Sequence, residues 1–213
     1  MKIYTIPVGF LGTNCYAVTD DKNVVLVDPG SDAKKIIGFL EKEKLNLTMI
    51  LLTHAHFDHI GAVDELVNRF SVPVYLHKND FEMAKNPEYN SSMSFGGEVI
   101  KCTPDKFYSE GDEIPFGNES FKIIHTPGHT EGGVCLVFSN VIFTGDTVFK
   151  GSAGRTDLYK GNYFDLINSI QKLSALSGDY KLLPGHGEET TLEYERRTNP
   201  YFKTKDISYD DIL

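Results

Sequence analysis

Apolar runs that break off directly into histidine and aspartate constrain this chain more than any other feature of it. Residues 49–59 read "MILLTHAHFDH", residues 141–147 "VIFTGDT" and residues 181–187 "KLLPGHG". A further run, "FKIIHTPGHT" at 121–130, ends in Pro, Gly and His. The runs have the length of strands rather than helices. Each delivers a titratable group just past its last buried residue, on a loop that a rigid sheet would hold in place. Loops at strand ends are where α/β proteins collect functional groups.

The spacing inside the first run carries chemistry. His54 and His56 stand two apart, so in an extended segment they project to one side and can bind one ion together. Asp58 and His59 follow where the chain turns into a helix and would aim at a neighbouring point. Imidazole and carboxylate are ligands suited to zinc, iron(II) or manganese. No cysteine is near these residues, which argues against a closed structural zinc. A site of this kind retains bound water, the mark of a catalytic metal.

The remaining pattern predicts the frame. "KIYTIPV", "NCYAVT" and "NVVLVDP" read as strands, and Ser31 or Asp32 as the N-cap of a helix with Ile36, Ile37 and Leu40 on its buried face. "LTMILLT" and "VPVYLH" are further strands, separated by a helix whose stripe is Val63, Leu66, Val67 and Phe70. Residues 78–112 are the least regular, with Tyr89, Met93 and Phe95 among turn formers; they read equally as a surface loop or as the wall or lid of a pocket. "ESFKIIHTPGHT", "GGVCLVFSN" and "VIFTGDT" return to strands. A helix from about Asn162 carries Leu166, Ile167, Ile170 and Leu173, and "YKLLPGH" and "ETTLEYERR" are a last strand and helix. This mixture predicts a sheet-rich core covered by helices, in two sheets rather than one doubly wound sheet. A length of 213 residues fits one domain over 1–213.

Charge and composition narrow the partners. A formal net charge of -9 argues against broad contact with nucleic-acid phosphates or an anionic membrane surface. No apolar run is long enough to span a bilayer, and the N-terminus lacks the unbroken apolar segment of a signal peptide. Cys15, Cys102 and Cys135 are odd in number and scattered, which reads as reduced, buried thiols in a cytoplasmic protein.

With these residues in view, the sequence resembles the metallo-β-lactamase superfamily, whose H-x-H-x-D-H motif matches His54 to His59. His129 in "TPGHT" resembles the family's third histidine, Asp146 in "TGDT" its bridging carboxylate and His186 in "PGHG" its last histidine. The resemblance runs from "LVDPGSD" to "RRTNPYF" and implies a four-layer αββα sandwich with metals at one edge between the sheets. It implies one metal on His54, His56 and His129, a second on Asp58, His59 and His186, and Asp146 bridging both. Asp28 of "VDPG" is a candidate acceptor for a ligand imidazole N–H, or serves only its turn. His125 is expected in the core or behind the ligands, and His77 at the surface.

Within the superfamily, "GSAGRTDLY" resembles the G-R-[ST]-D segment of short glyoxalase II-like hydrolases, and also of persulfide dioxygenases. The first likeness implies hydrolysis of a small acyl thioester, S-lactoyl-glutathione or a relative, by a hydroxide shared between two divalent ions, zinc foremost, that Asp58 orients. The helical region with which glyoxalase II enzymes grip glutathione has no counterpart after "PGHG", so the resemblance leaves the carrier thiol open. Lys150, Arg155 and Lys160 either receive a carboxylate of an anionic carrier or, as with Arg155 and Asp157, brace the structure. The second likeness implies one iron on His54, His129 and Asp146. Lactone or β-lactam hydrolysis is an alternative on the same fold, and the lack of a signal-peptide pattern speaks against an antibiotic-facing enzyme. A nuclease is disfavoured by the charge, and a non-catalytic metal-binding domain by the complete ligand set.

Overall fold

In the computed structural model, which describes residues 1–97 and 99–204, the strands fall into two six-stranded sheets and one small hairpin. Glu98 and residues 205–213, which the one-domain reading includes, lie outside the described residues.

The first sheet runs in sequence order. β1 (Lys2–Val8), β2 (Thr13–Thr19) and β3 (Asn23–Val27) form an antiparallel meander. β4 (Asn46–Leu51), β5 (Val74–His77) and β6 (Lys106–Tyr108) extend it in parallel. Parallel neighbours need crossovers. These are α1 (Ala33–Glu43), then α2 (Phe57–Ile60) with α3 (Val63–Phe70), then a 3₁₀ turn at Lys78–Asp80 with α4 (Phe81–Lys85).

The second sheet begins with the antiparallel run β7 (Glu113–Phe116), β8 (Glu119–His125), β9 (Val134–Phe138) and β10 (Val141–Gly145). The hairpin of β11 (Val148–Phe149) and β12 (Ser152–Ala153) and the helix α5 (Tyr163–Ser174) follow. β13 (Lys181–Pro184) then pairs parallel to β10, and β14 (Thr190–Thr191) closes that edge before α6 (Leu192–Thr198) and α7 (Pro200–Lys203).

The side-chain period of two explains the layering. β2 is buried at every position, so both its faces are covered. Tyr16 and Val18 join Phe121, Leu136 and Phe143 in the core between the sheets, while Cys15 and Ala17 pack outward with Ile36, Leu40 and Leu66 of the helices. The second sheet repeats the arrangement, with Cys135, Ile142 and Leu182 packed on Leu166, Ile170 and Leu173 of α5. The result is helix, sheet, sheet, helix. All three cysteines are buried and unpaired, as small hydrophobes. Among the described residues, no helix is long and apolar enough to cross a membrane.

Local differences from the sequence expectation have physical reasons. Asp32 sits before α1 in a left-handed conformation (φ 54°) and makes no side-chain cap. Its Oδ2 instead accepts the Gly9 N–H at 2.9 Å, tying the β1–β2 turn to α1. Asn162 does cap α5, accepting from the N–H groups of Phe164 and Asp165. The irregular stretch 78–112 contains a 3₁₀ turn, α4, a single wide turn at Ser92–Gly96 and β6, elements too short for a periodic signal. Tyr89 in this stretch stacks on Tyr159 with centroids 3.9 Å apart.

Phe121 is fully buried between the sheets, 4.4 Å centroid to centroid from Phe138 and 6.2 Å from Phe143. Phe121→Ala is expected to lower the unfolding free energy by about 3–5 kcal/mol, read from the midpoint of urea denaturation.

Candidate metal centre

The site is assembled from the bottom of β3 upward. Asp28 follows that strand in a left-handed conformation (φ 50°), which turns its carboxylate inward. Its Oδ1 accepts the Thr53 N–H at 2.7 Å, and its Oδ2 accepts the Thr53 hydroxyl at 2.6 Å and His59 Nδ1 at 2.9 Å. With its proton given to Asp28, the Thr53 hydroxyl accepts from His54 Nδ1 at 3.1 Å. One carboxylate thereby sets the tautomers of His54 and His59 and leaves Nε2 of each as a lone pair. His129 is set from elsewhere: its Nδ1 donates to the Arg155 carbonyl at 2.7 Å.

Those lone pairs converge. Ligand atoms of His54, His56 and His129 all lie within 4.8 Å of one another, and so do those of Asp58, His59 and His186. His56 Nδ1 is 2.9 Å from His129 Nε2, and His186 Nε2 is 3.1 Å from Asp58 Oδ2. Asp146 lies between the groups, with Oδ1 3.4 Å from His59 Nε2 and Oδ2 3.5 Å from His129 Nε2 and 3.6 Å from His186 Nε2. Asp28 also falls near His54 and His59, but its oxygens are committed to Thr53 and His59, so it acts as their acceptor.

The residues fit bound cations. His54 Nε2, His56 Nε2, His59 Nε2 and Asp146 Oδ1 are buried without a hydrogen-bond partner, an arrangement a folded chain keeps only where another group satisfies it. Protonation states of His54, His56, His129, Asp58 and Asp146 agree with that use. Burial holds His54 well below the usual histidine range and His56 at about 3, in each case helped by neighbouring imidazoles. Burial alone would raise Asp146, but His59 and His129 hold it at about 2, and His59 and His186 act likewise on Asp58. His59 and His186 are the exceptions: burial opposes the charge of each, yet Asp58, Asp146 and Asp28 raise His59 well above the usual range, and Asp58 and Asp146 raise His186. Neutral imidazoles and ionised carboxylates are the forms that bind a metal. The cradle is close-fitting, since a Cβ on Gly185 would stand 2.2 Å from Asp146 Oδ1 and 2.7 Å from His59 Cε1.

Several supporting residues gave no sequence signal. Asp80, fully buried after β5, accepts from Ala55 N (3.2 Å) and Thr130 Oγ1 (2.7 Å) on Oδ2 and from Gly132 N (2.6 Å) on Oδ1. It straps the loop bearing His54 and His56 to the loop bearing His129. Burial pushes its pKa up to about 6, against the pull of these three hydrogen bonds. His186 is placed by the other sheet: Asn14 N donates to Gly185 O at 2.8 Å, and Tyr16 OH to Pro184 O at 2.7 Å. The Thr13 hydroxyl donates to Asp58 Oδ2 at 3.0 Å.

Other candidates lie elsewhere. His77 is buried, not at the surface as expected, because it stacks on His125 from the opposite sheet at 4.2 Å. Neither ring reaches the ligands; His125 Nε2 donates to the Glu131 carbonyl at 2.9 Å. Lys150 pairs with Glu188 at 2.6 Å, Lys160 with Glu131, and Arg155 with Asp157 through two bonds of 2.7 and 2.8 Å. Only Arg155 of these three lines the cleft of about 340 Å³ over His56, His129, Asp146 and His186. Ser91 and Phe95 line it too, so the irregular stretch is a wall of the pocket.

Comparison with known proteins agrees with this geometry. The family model of the metallo-beta-lactamase superfamily matches residues 8–186. A relative from Haemophilus influenzae named hydroxyacylglutathione hydrolase GloC is 38% identical, over 96% of this chain and 100% of its own length. Among solved structures, the BLEG-1 B3 metallo-beta-lactamase superposes with a TM-score of 0.90 at 39% identity, covering 95% of this chain and 100% of its own. TTHA1623 in a di-iron-bound form gives 0.84 at 36% identity, covering 93% and 99%.

Two substitutions test the construction. Asp80→Asn must turn an amide N–H toward buried donors and is expected to cost about 1–3 kcal/mol, read by urea denaturation of chelator-treated protein. Gly185→Ala is expected to displace Asp146 and reduce the bound metal per chain, read by elemental analysis after dialysis, while far-ultraviolet circular dichroism stays unchanged.

Proposed function

This chain belongs to the metallo-beta-lactamase superfamily, and on that premise we propose that it is a metal-dependent hydrolase of small acyl thioesters, similar to glyoxalase II. The observation that carries the reading is the pair of donor groups sharing Asp146, each complete and partly orphaned. The likeness to a relative named hydroxyacylglutathione hydrolase supports the substrate class.

His54, His56 and His129, and Asp58, His59 and His186, with Asp146 shared, would hold divalent ions, which would supply a water of lowered pKa and a Lewis acid for a carbonyl oxygen. We assign zinc to these imidazole and carboxylate donors, with iron or manganese as the alternatives, iron being the metal in one solved relative. The chain's own residues do the rest. Asp58, which accepts a hydrogen bond from the Thr13 hydroxyl and is ionised, orients the attacking water. The water oxygen bonds to the acyl carbon, the C–S bond breaks, and the sulfur leaves as the free thiol once it takes up a proton. Leu11, Phe57, Phe95 and Leu158 line the cleft and limit bulk water there. None of the cysteines lines it, so no thiol nucleophile of the protein competes.

Of the three cations expected at the carrier, Arg155 is the one we retain, since its guanidinium lies in the cleft wall 5.9 Å from the Phe95 ring centroid. It would accept a carrier carboxylate by sharing it with, or exchanging it for, Asp157. The partner is a small molecule rather than nucleic acid or membrane, in keeping with a net charge of -9. Three unpaired thiols favour the reducing cytoplasm.

Reconstitution with zinc, iron(II) or manganese tests the reading against its rivals. Expected are two metals per chain, turnover of S-lactoyl-glutathione or a related thioester, and no oxygen uptake on glutathione persulfide. One iron with such uptake would identify a dioxygenase, and preferred turnover of a lactone or β-lactam a different hydrolase. His54→Ala should lower thioester turnover by about three orders of magnitude with the fold retained. Protein carrying two metals yet inert on every thioester would sink the proposal.

A further inference from the structure

A thioester has two halves, and the cleft has two arms. One is the space over the histidines that runs toward Arg155 and Phe95. The other, about 230 Å³, is walled by Phe10, Leu11, Phe57, Ile100 and Ser31 and reaches Asp58. Leu11, Phe57 and Asp58 line both, so the two spaces lie side by side and an ester held at Asp58 borders each.

Their chemistry differs. The first arm has a guanidinium in its wall. Among the described residues lining the second, Asp58 is the only charged side chain, and the others are apolar or carry a hydroxyl. The Thr13 hydroxyl there is already committed to Asp58, which leaves Ser31 to meet a polar substituent.

The second arm is built by the β1–β2 turn. Gly9 and Gly12 bend it with φ of 67° and 66°, conformations that favour glycine. The bond from Gly9 N to Asp32 Oδ2 pins the turn to the start of α1. Phe10 and Leu11 are thereby held at the tip, 72% and 47% exposed. The Phe10 ring faces Phe57, with centroids 6.2 Å apart. Phe57 lies between His56 and Asp58, and its N–H is held by the Asn90 carbonyl at 3.0 Å. Apolar side chains gathered around one opening beside Asp58 mark a ligand groove rather than scattered exposure.

We infer that this second arm binds the acyl group, and that the preferred substrates carry an uncharged acyl chain of a few carbons, with a hydroxyl tolerated at Ser31. An anionic acyl group such as succinyl is disfavoured, because its far carboxylate would lie against Phe10, Leu11 and Ile100 with no cation in that wall to receive it. The charged end of the carrier thiol is left to the Arg155 arm. The inference rests on the thioester-hydrolase reading for its choice of substrate.

The test uses the metal-loaded full chain and two parallel series. In the first, acetyl, propionyl, butyryl, hexanoyl and succinyl thioesters of one carrier are compared by kcat/KM. In the second, the matching free carboxylic acids are titrated by calorimetry, which reads the arm whether or not any thioester is turned over. Each added methylene should strengthen both by roughly fourfold until the arm is full. Succinyl should fall at least tenfold below butyryl in the first series, and succinate below butyrate in the second. Phe10→Ala should collapse the ratio between the hexanoyl and acetyl members of both. A flat chain-length profile, succinate binding as tightly as butyrate, or an unchanged ratio in Phe10→Ala would overturn the inference. Thioesters left intact while the acid series still climbs with length would reject the thioester reading and keep the subsite.

Discussion

The carboxylate of Asp28 is the interaction on which the rest of this site depends. It stands at the end of a central strand and takes three hydrogen bonds, from the backbone and hydroxyl of Thr53 and from the ring of His59. Through Thr53 it also governs His54. Imidazole has two nitrogens and one proton to place, and a ligand is useful only when its lone pair faces the ion. Asp28 makes that choice for two rings at once. It can do so because burial keeps water from competing for its oxygens, and because a left-handed backbone turns it inward.

The fold then brings the remaining groups to the same place from the other sheet. β8 leads to His129, β10 to Asp146 and β13 to His186, and each group stands on a loop beyond the last paired residue. Backbone hydrogen bonds cross between the sheets at this edge: Val134 N reaches Thr53 O at 2.9 Å, and Asn14 N reaches Gly185 O at 2.8 Å. Side chains reinforce them, with Asn14 Nδ2 bonded to both Pro184 O and Gly187 O at 3.0 Å. The centre is therefore as rigid as the seam between the sheets.

Much of this was legible because the signal is local. An aliphatic run followed at once by His or Asp is a statement about a strand and the loop after it, and both lie within a dozen residues. The two-sheet architecture, the long strands, the stripes of α1, α3 and α5 and the convergence of the motif residues all follow from such stretches. What stayed hidden depends on contacts distant in sequence. Asp80 looks like any surface aspartate until the turn after β5 is placed beside the loop of Thr130 and Gly132. Asp32 has the right residue type for a cap but is drawn to Gly9 instead. His77 is buried against the sequence expectation for the same reason, since its partner His125 arrives from the opposite sheet. Elements of two to four residues, such as β6, β11 and β12, are too short for any periodicity to announce them.

The seam has a consequence for how the molecule comes apart. Because ligands from both halves meet across backbone bonds that join the sheets, neither half can fray or slide without dismantling the donor set. A partly unfolded form retaining either sheet alone would hold at most some of the ligands. The complete donor set is thus an all-or-none property of the chain, and it would vanish in the same cooperative step that separates the sheets.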